Sequence, residues 1–535
     1  MFNVILFADT PEAFSKTRGY GAHRLASHIR EHGYTCLVVD FMSALDLENY
    51  TAIMENAVGD ETLMVGFSST WMPYRFTLLN VETDETRMHD PGRSIIEDLD
   101  VTRNSTDSIF AQKLTTALTD NTPEPYFNVI KQINPKVKLT LGGSKIGMYT
   151  DMKMIDHIFV GYSETMVIDY LHSISGKGPR RIFNKMIDHD QKAQAPVWDY
   201  TVSKTTYTEF DFIKSQEPLA LEVARGCRFK CKYCSYPLIG MKNISSYLKK
   251  SDVLRQELMY NYENFGTTRY FIIDDTFNDS VEKMEYFLEI TRSLPFKITY
   301  WCYLRLDLLM AKPQTIPMLL ESGMSSCYFG IETFNHAAGK AVGKGAHPDK
   351  LKDTLYECKR VWKDNVHIQA GFMVGLPFED SASIYETAKW LAKEDCPIDT
   401  KWIFPLQIAQ ANNDIMKYTY QSEFDKNSHL YGYEIPNPDG AFWEWTKDDE
   451  TDINTLQKAE EVSMEAENPI QNTIDKGDFN LASLSHPILS DRDVTLKMSD
   501  QEYTELVDSI DREQLWLTDV TNDYFKPLIN MLRLK

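Results

Sequence analysis

No run of 18 apolar residues occurs in this 535-residue chain, which excludes a membrane-spanning helix. Positive charge is short: 56 Lys and Arg stand against 78 Asp and Glu, for a net charge of −22. Phosphate contacts need clustered cations, so nucleic acid is not an expected partner. The opening MFNVILFAD has neither the charged start nor the cleavage site of a signal peptide, and a cytoplasmic location is expected. Cysteine is scarce as well, eight in all. In a reducing compartment they serve as metal ligands or buried thiols rather than disulfides. Wholesale disorder is excluded by an aromatic content of 12%.

What is present is strand–helix alternation. FNVILFA (2–8), TCLVVDF (35–41), LMVGFSS (63–69), VKLTLGG (137–143) and HIFVGYS (157–163) are apolar runs of strand length. Helical spacing falls at 19–32 and around 125–133, and the alternation predicts a parallel, doubly wound sheet over 1–173. Part of 76–112 is polar and irregular and reads as an insertion. Residues 174–214 have weak periodicity and read as an extended linker. A second α/β unit spans 215–408, with strands in PLALEVARG, RYFIIDD, ITYWCYL, SCYFGIE and IQAGFMVGLP and helices at 281–293 and 348–363. The remainder, 409–535, reads as a mainly helical, acidic C-terminal domain, with amphipathic stretches near 455–466 and 500–517.

Five cysteines are scattered: Cys36, Cys302, Cys327, Cys358 and Cys396. The other three, Cys227, Cys231 and Cys234, follow a strand-like run at spacings i, i+4 and i+7. Three thiolates can hold three irons of a [4Fe–4S] cube and leave the fourth iron open to a small molecule. Gly226 allows the chain to turn after the strand, and Arg228, Lys230 and Lys232 are positioned to lower the thiol pKa values. Structural zinc usually takes four ligands, and no matching fourth stands nearby. Buried core thiols would rarely sit among three cations.

This CxxxCxxC pattern at the start of an α/β unit resembles the radical S-adenosylmethionine (SAM) superfamily, in its cobalamin-binding-domain branch. The likeness continues through Phe271-Ile272-Ile273-Asp274-Asp275-Thr276-Phe277-Asn278, Phe329-Gly330-Ile331-Glu332-Thr333 with Lys344-Gly345, and Gly371-Phe372-Met373-Val374-Gly375-Leu376-Pro377. The resemblance implies a partial (β/α)6 barrel, a [4Fe–4S] cluster on the three cysteines and SAM chelated to the open iron. It implies that Tyr233 lies near the adenine, that Asp274 and Asp275 reach the SAM amino group, that Glu332 accepts a ribose or amino hydrogen bond, and that Lys344 pairs with Glu332. Arg305 or Asp307, after a strand, is a candidate for the mouth of the site, whereas Met373 and Val374 read as core.

Residues 1–172 also resemble the cobalamin-binding domain of that branch, in Val65-Gly66-Phe67-Ser68-Ser69-Thr70-Trp71, Leu141-Gly142-Gly143 and Asp156 through Gly161-Tyr162-Ser163-Glu164. Ser68, Ser69, Thr70, Gly142 and Gly143 are small residues at strand ends, where open α/β sheets bind ligands. The cobalt-ligating Asp-x-His-x-x-Gly pattern is absent: the first loop reads Asp9-Thr10-Pro11-Glu12-Ala13-Phe14. His23, on the following helix, is expected at the surface.

The resemblance implies cobalamin-assisted methyl transfer to an unactivated substrate atom, or a radical cyclisation, rearrangement or oxidation by the same architecture. It also implies a small-molecule or peptide substrate and an electron donor such as flavodoxin or ferredoxin. Methylthiolation fits poorly, since only Cys36 precedes Cys227 and the tail is acidic. A non-catalytic module that kept the fold predicts lost cluster ligands, and all three cysteines stand. In the tail, Tyr431, Tyr433, Trp443 and Trp445 are expected in a core or domain interface rather than in a pocket.

Overall fold

The computed structural model describes residues 1–8, 17–68, 124–143, 154–178, 187–189, 199–236, 247–408, 421–436, 443–447, 451–476 and 481–535. The irregular stretch at 76–112, the first-strand loop, Ser69 and Thr70 lie outside them.

The first sheet holds β1 (Val4–Phe7), β2 (Cys36–Val39), β3 (Met64–Ser68), β4 (Lys138–Gly143), β5 (His157–Val160) and β6 (Ile187–His189). Their order is β2-β1-β3-β4-β5-β6, with every pairing parallel. Successive side chains of a strand point to opposite faces, and each face here has its own core. Ile5, Phe7, Val65 and Phe67 pack toward the helices Leu47–Ala57 and Glu124–Ile133. Val4, Leu6, Val38 and Met64 pack toward Tyr20–Glu31 and Glu164–Ser175. This is the predicted doubly wound sheet, with one addition. Its sixth strand, β6, lies inside the expected linker and was missed because three residues carry no periodic signal.

The second sheet holds β7 (Leu219–Leu221), β8 (Arg269–Ile272), β9 (Thr299–Leu304), β10 (Met324–Glu332), β11 (His367–Val374) and β12 (Thr400–Pro405). Its strands lie side by side in chain order, all parallel, with helices between them, as a partial (β/α)6 barrel requires. All six C-terminal ends therefore share one edge, and the loops that follow them converge there. Among the described residues no helix is long and apolar enough to cross a membrane.

The described part of the C-terminal stretch builds no core of its own, contrary to the expected separate domain. Tyr433, Trp443, Ala459 and Val462 join the core of the second sheet. Trp516, Tyr524, Phe525 and Leu528 join that of the first. The aromatics Tyr433 and Trp443 are thus core residues, as expected, with Tyr431 and Trp445 packed against them.

A buried charge network joins the two halves. The Arg18 guanidinium donates to Glu217 at 2.5 Å and pairs with Asp40 at 3.2 Å. His23 Nε2 lies 2.9 Å from Asp40, and His23 Nδ1 faces Asp211 at 3.7 Å. His23 is 0% exposed, which corrects its expected surface position. Its charged partners sit 17 and 188 positions away by residue number, beyond any local pattern. Burial alone would lower the His23 pKa, but Asp40 and then Asp211 outweigh it and hold the value above its ordinary 6.5. The stabilisation from His23 is therefore full below about pH 6.5 and is lost as pH rises through the raised value. Chemical denaturation between pH 6 and 9 should show that decline in the parent and not in His23→Gln. Asp40→Asn strips a buried carboxylate from two cations and should cost about 3–5 kcal/mol in the same assay.

Candidate active site

The cysteine loop begins where β7 ends. Asp274, just past β8, accepts from the backbone N–H groups of Val223 and Ala224 at 2.8 and 3.0 Å and pairs with Lys283 at 2.7 Å. These bonds pin the segment leading to Gly226, which has a φ of 101° and turns the chain into Cys227. Asp274 is therefore a brace under the loop, with its carboxylate turned inward, rather than a group presented to SAM. Its neighbour Asp275 differs. The Asp275 Oδ2 is buried and accepts no hydrogen bond among the described residues. Burial, followed by the charges of Asp274 and Glu222, pushes its pKa up to about 7.

The Cys227 Sγ lies 3.4 Å from Thr276 Oγ1, and Arg305, at the end of β9, donates to the Cys231 Sγ at 3.1 Å. Arg305 is fixed by Asp307 at 2.6 Å, so of the two candidates it is Arg305 that reaches the loop. Cys234 N–H closes a turn onto the Cys231 carbonyl at 3.1 Å. At Cys227 and Cys234 the lowering expected from Arg228, Lys230 and Lys232 is not found. Burial raises the Cys227 thiol and pushes Cys234 up to about 12. A coordinating metal removes such protons outright. No three His, Cys, Asp or Glu side chains among the described residues converge as on a single metal ion. A cube, by contrast, spreads three thiolates over three irons, which suits three thiols along one loop.

Across the same edge, Glu332 ends β10 with a φ of 70°, a costly backbone conformation for a non-glycine residue. Its Oε1 accepts from Tyr233 Oη and from Lys344 Nζ, each at 2.7 Å. Lys344 also donates to the Gly330 carbonyl. Tyr233, Glu332 and Lys344 are thus brought together on the cysteine loop, and the predicted Lys344–Glu332 pair is present.

At the C-terminal edge of the first sheet lies a pocket of about 320 Å³ lined by Gly66, Ser68, Gly142, Gly143, Gly161 and Tyr162. Gly143 has a φ of 137°, a region that favours glycine. Among the described residues, a Cβ on Gly142 would approach only Phe159, at 3.9 Å. The far wall comes from the second unit through Glu222 and Arg225. Arg225, two residues before Cys227, pairs with Glu164 at 2.7 Å and with Glu222 at 2.8 Å and stacks over Tyr162 at 4.3 Å. Sequence reasoning missed Arg225 as a site residue. Its position beside the Gly-Cys turn was the available signal.

Residues 221–391 match the model of the radical SAM superfamily, and the second unit is a radical SAM domain. No curated protein matches the sequence. The fold is similar to a radical SAM methyltransferase, TsrM, from Kitasatospora setae, solved with tryptophan substrate and a SAM analogue. That match has a TM-score of 0.53 and 11% identity and covers 81% of this chain and 78% of TsrM. It is also similar to the apo form of the cobalamin-dependent SAM radical enzyme OxsB, with a TM-score of 0.52, 10% identity and coverage of 100% of this chain and 80% of OxsB. At such identity the likeness is one of fold.

Replacing Cys227, Cys231 or Cys234 singly by Ala should abolish cluster assembly, read as iron content against about four irons per chain for the parent. The same change at Cys302 or Cys358, both buried in the barrel core, should keep the iron. Glu332→Gln should weaken SAM binding about tenfold to a hundredfold, because a carboxylate hydrogen bond contributes about 1.5–3 kcal/mol. Equilibrium dialysis against labelled SAM measures that loss.

Proposed function

We propose that this chain is a cobalamin-dependent radical SAM enzyme that transfers a methyl group to an unactivated substrate atom. The observation that carries the reading is the shared wall: Arg225 and Glu222 bound the glycine-lined pocket, and the same segment opens the cysteine loop. A cofactor in the first sheet would therefore sit beside one on the loop. Cys227, Cys231 and Cys234 would hold the [4Fe–4S] cluster, which when bound supplies one electron for reductive cleavage of SAM. Gly142, Gly143 and Ser68 would hold part of cobalamin, a methyl carrier when bound. The first-strand loop would supply no histidine for cobalt, and His23 is committed to Asp40.

The chain's own residues prepare the ground. Arg305 places a cation on Cys231, offsetting thiolate charge. Tyr233, Lys344 and Glu332 form a rigid acceptor at the loop for the polar end of SAM. Arg225, held by Glu164 and Glu222, forms the wall between the glycine-lined pocket and the segment that leads into the cysteine loop. An external one-electron donor such as flavodoxin or ferredoxin would drive turnover, on a small-molecule or peptide substrate.

Anaerobically reconstituted protein should form 5′-deoxyadenosine and S-adenosylhomocysteine together with its substrate. Deoxyadenosine without S-adenosylhomocysteine would instead favour radical cyclisation, rearrangement or oxidation. Cobalamin should stay with the parent on a sizing column. Gly142→Leu, which projects a side chain into the pocket, should lose nearly all of it. Equal retention by parent and variant would place cobalamin elsewhere.

A further inference from the structure

The cations of the cysteine loop have no part in the site described above. Arg228 and Lys230 are exposed and Lys232 is partly so. Lys340, on the helix His336–Val342, is exposed beside them. None of the four makes an ion pair among the described residues, although the chain holds 78 acidic residues against 56 basic ones. The loop and the helix are in contact. The Lys232 N–H donates to the Val342 carbonyl at 3.1 Å, and the Gly343 N–H donates to the Lys340 carbonyl at 3.2 Å. Gly343 is exposed, with a φ of 87°. A Cβ on it would lie 3.8 Å from the Lys230 carbonyl oxygen and 3.9 Å from Cys231 Cα. Cys231 therefore sits one exposed glycine beneath this surface.

The other end of the same helix offers an apolar group. Asn335, its N-cap, donates from Nδ2 to the Phe378 carbonyl at 2.9 Å. Phe378 is 47% exposed and has a φ of 70°. Its neighbour Glu379 is buried and holds the turn from inside, with Oε2 accepting from the Leu376 N–H at 3.0 Å. A positive φ is an outlier for a bulky side chain, and strain of this kind collects at binding sites. Here it keeps an aromatic ring in water, within one short helix of the cations.

We infer that this face, from Lys230 through Lys340 to Phe378, docks an acidic one-electron carrier protein of the flavodoxin type. The inference rests on the proposal above for a cluster at Cys231: one electron would pass to it from the docked carrier, with no bond made or broken. The cations steer an acidic partner toward the loop, and Phe378 gives the contact an aromatic anchor. Two carboxylates lie close by, on the helix Ser422–Asn427, whose Phe424 N–H donates to the Lys232 carbonyl at 3.1 Å. Glu423 accepts from Asn427 and Asp425 from the Ser422 N–H, so neither is bonded to the lysines.

Anaerobic calorimetry of oxidised flavodoxin against the iron-loaded chain reads docking without turnover. The parent should bind, and about tenfold more weakly when salt is raised from about 0.05 to about 0.5 M. Lys230→Glu and Lys340→Glu should each weaken binding about tenfold at low salt and flatten that dependence. Phe378→Ala should weaken it about fivefold and leave the salt dependence in place. Lys526→Glu makes the same change in net charge at an exposed position beside the first sheet, and it should bind as the parent does. Reduction by flavodoxin, taken relative to reduction by photoreduced deazaflavin on the same samples, should slow in step with the lost affinity. Iron content at the parent's level checks folding. A parent that binds no flavodoxin would overturn the inference. So would Lys230→Glu and Lys340→Glu proteins that bind as well as the parent, or an equal loss in Lys526→Glu. Failure of the enzyme reading is seen separately, as absent iron or as absent 5′-deoxyadenosine with deazaflavin, and flavodoxin binding remains measurable on the same protein.

Discussion

Arg225 lies between carboxylates drawn from both halves of the chain, Glu164 on the first sheet's side and Glu222 at the end of β7, and is only 8% exposed. A guanidinium so far from water is tolerated only when its charge and hydrogen bonds are met. Glu222 meets Nε and Nη2 from within the second unit, and Glu164 meets Nη1 from the first. The two sheets must dock in one register for Arg225 to be satisfied, and that register puts the glycine-lined pocket against the segment that leads into Cys227. Tyr162 and Tyr200 sandwich the same cation at 4.3 and 4.8 Å, which restricts sliding between the halves. The Arg18–Asp40–Glu217 network makes a second, independent tie.

Parallel topology does the rest. Because all six strands of the second sheet run the same way, the cysteine loop, Asp275, Arg305 and Glu332 emerge at a single edge although they span more than a hundred positions. Their side chains are held by neighbours on that edge rather than by their own strands. Asp274 holds the β7 exit, Asp307 holds Arg305, and Tyr233 with Lys344 holds Glu332. The positive φ at Glu332 fits a site in which backbone strain is offset by such contacts.

The sequence was most legible where the signal is local. The CxxxCxxC spacing and the apolar runs of the long strands are contained in a few residues each, and both read correctly. Of the edge strands, β2 and β7 were read as well, but β6 and β12 were not. β6 has three residues, and β12 reads Thr-Lys-Trp-Ile-Phe-Pro, a mixed run ending in a residue that cannot continue a ladder. The adjacent carboxylates Asp274 and Asp275 look alike in sequence and lie in different surroundings, because one turns toward Lys283 and two backbone N–H groups and the other has no partner for Oδ2 among the described residues. His23 was misplaced and Arg225 overlooked for one reason. Their burial depends on partners that only the docking of two sheets brings near.

The C-terminal helix Lys526–Leu534 completes the core beneath β1, and Tyr524 Oη accepts from the Asp40 N–H across 484 positions of chain. A ribosome delivers the first sheet long before this helix exists. Until then the helix Leu47–Ala57 lacks one of the elements it packs against. The order of synthesis and the order of completion are thus reversed: the half that appears first is finished last. During that interval its unfinished apolar face is open to chaperones or to other nascent chains.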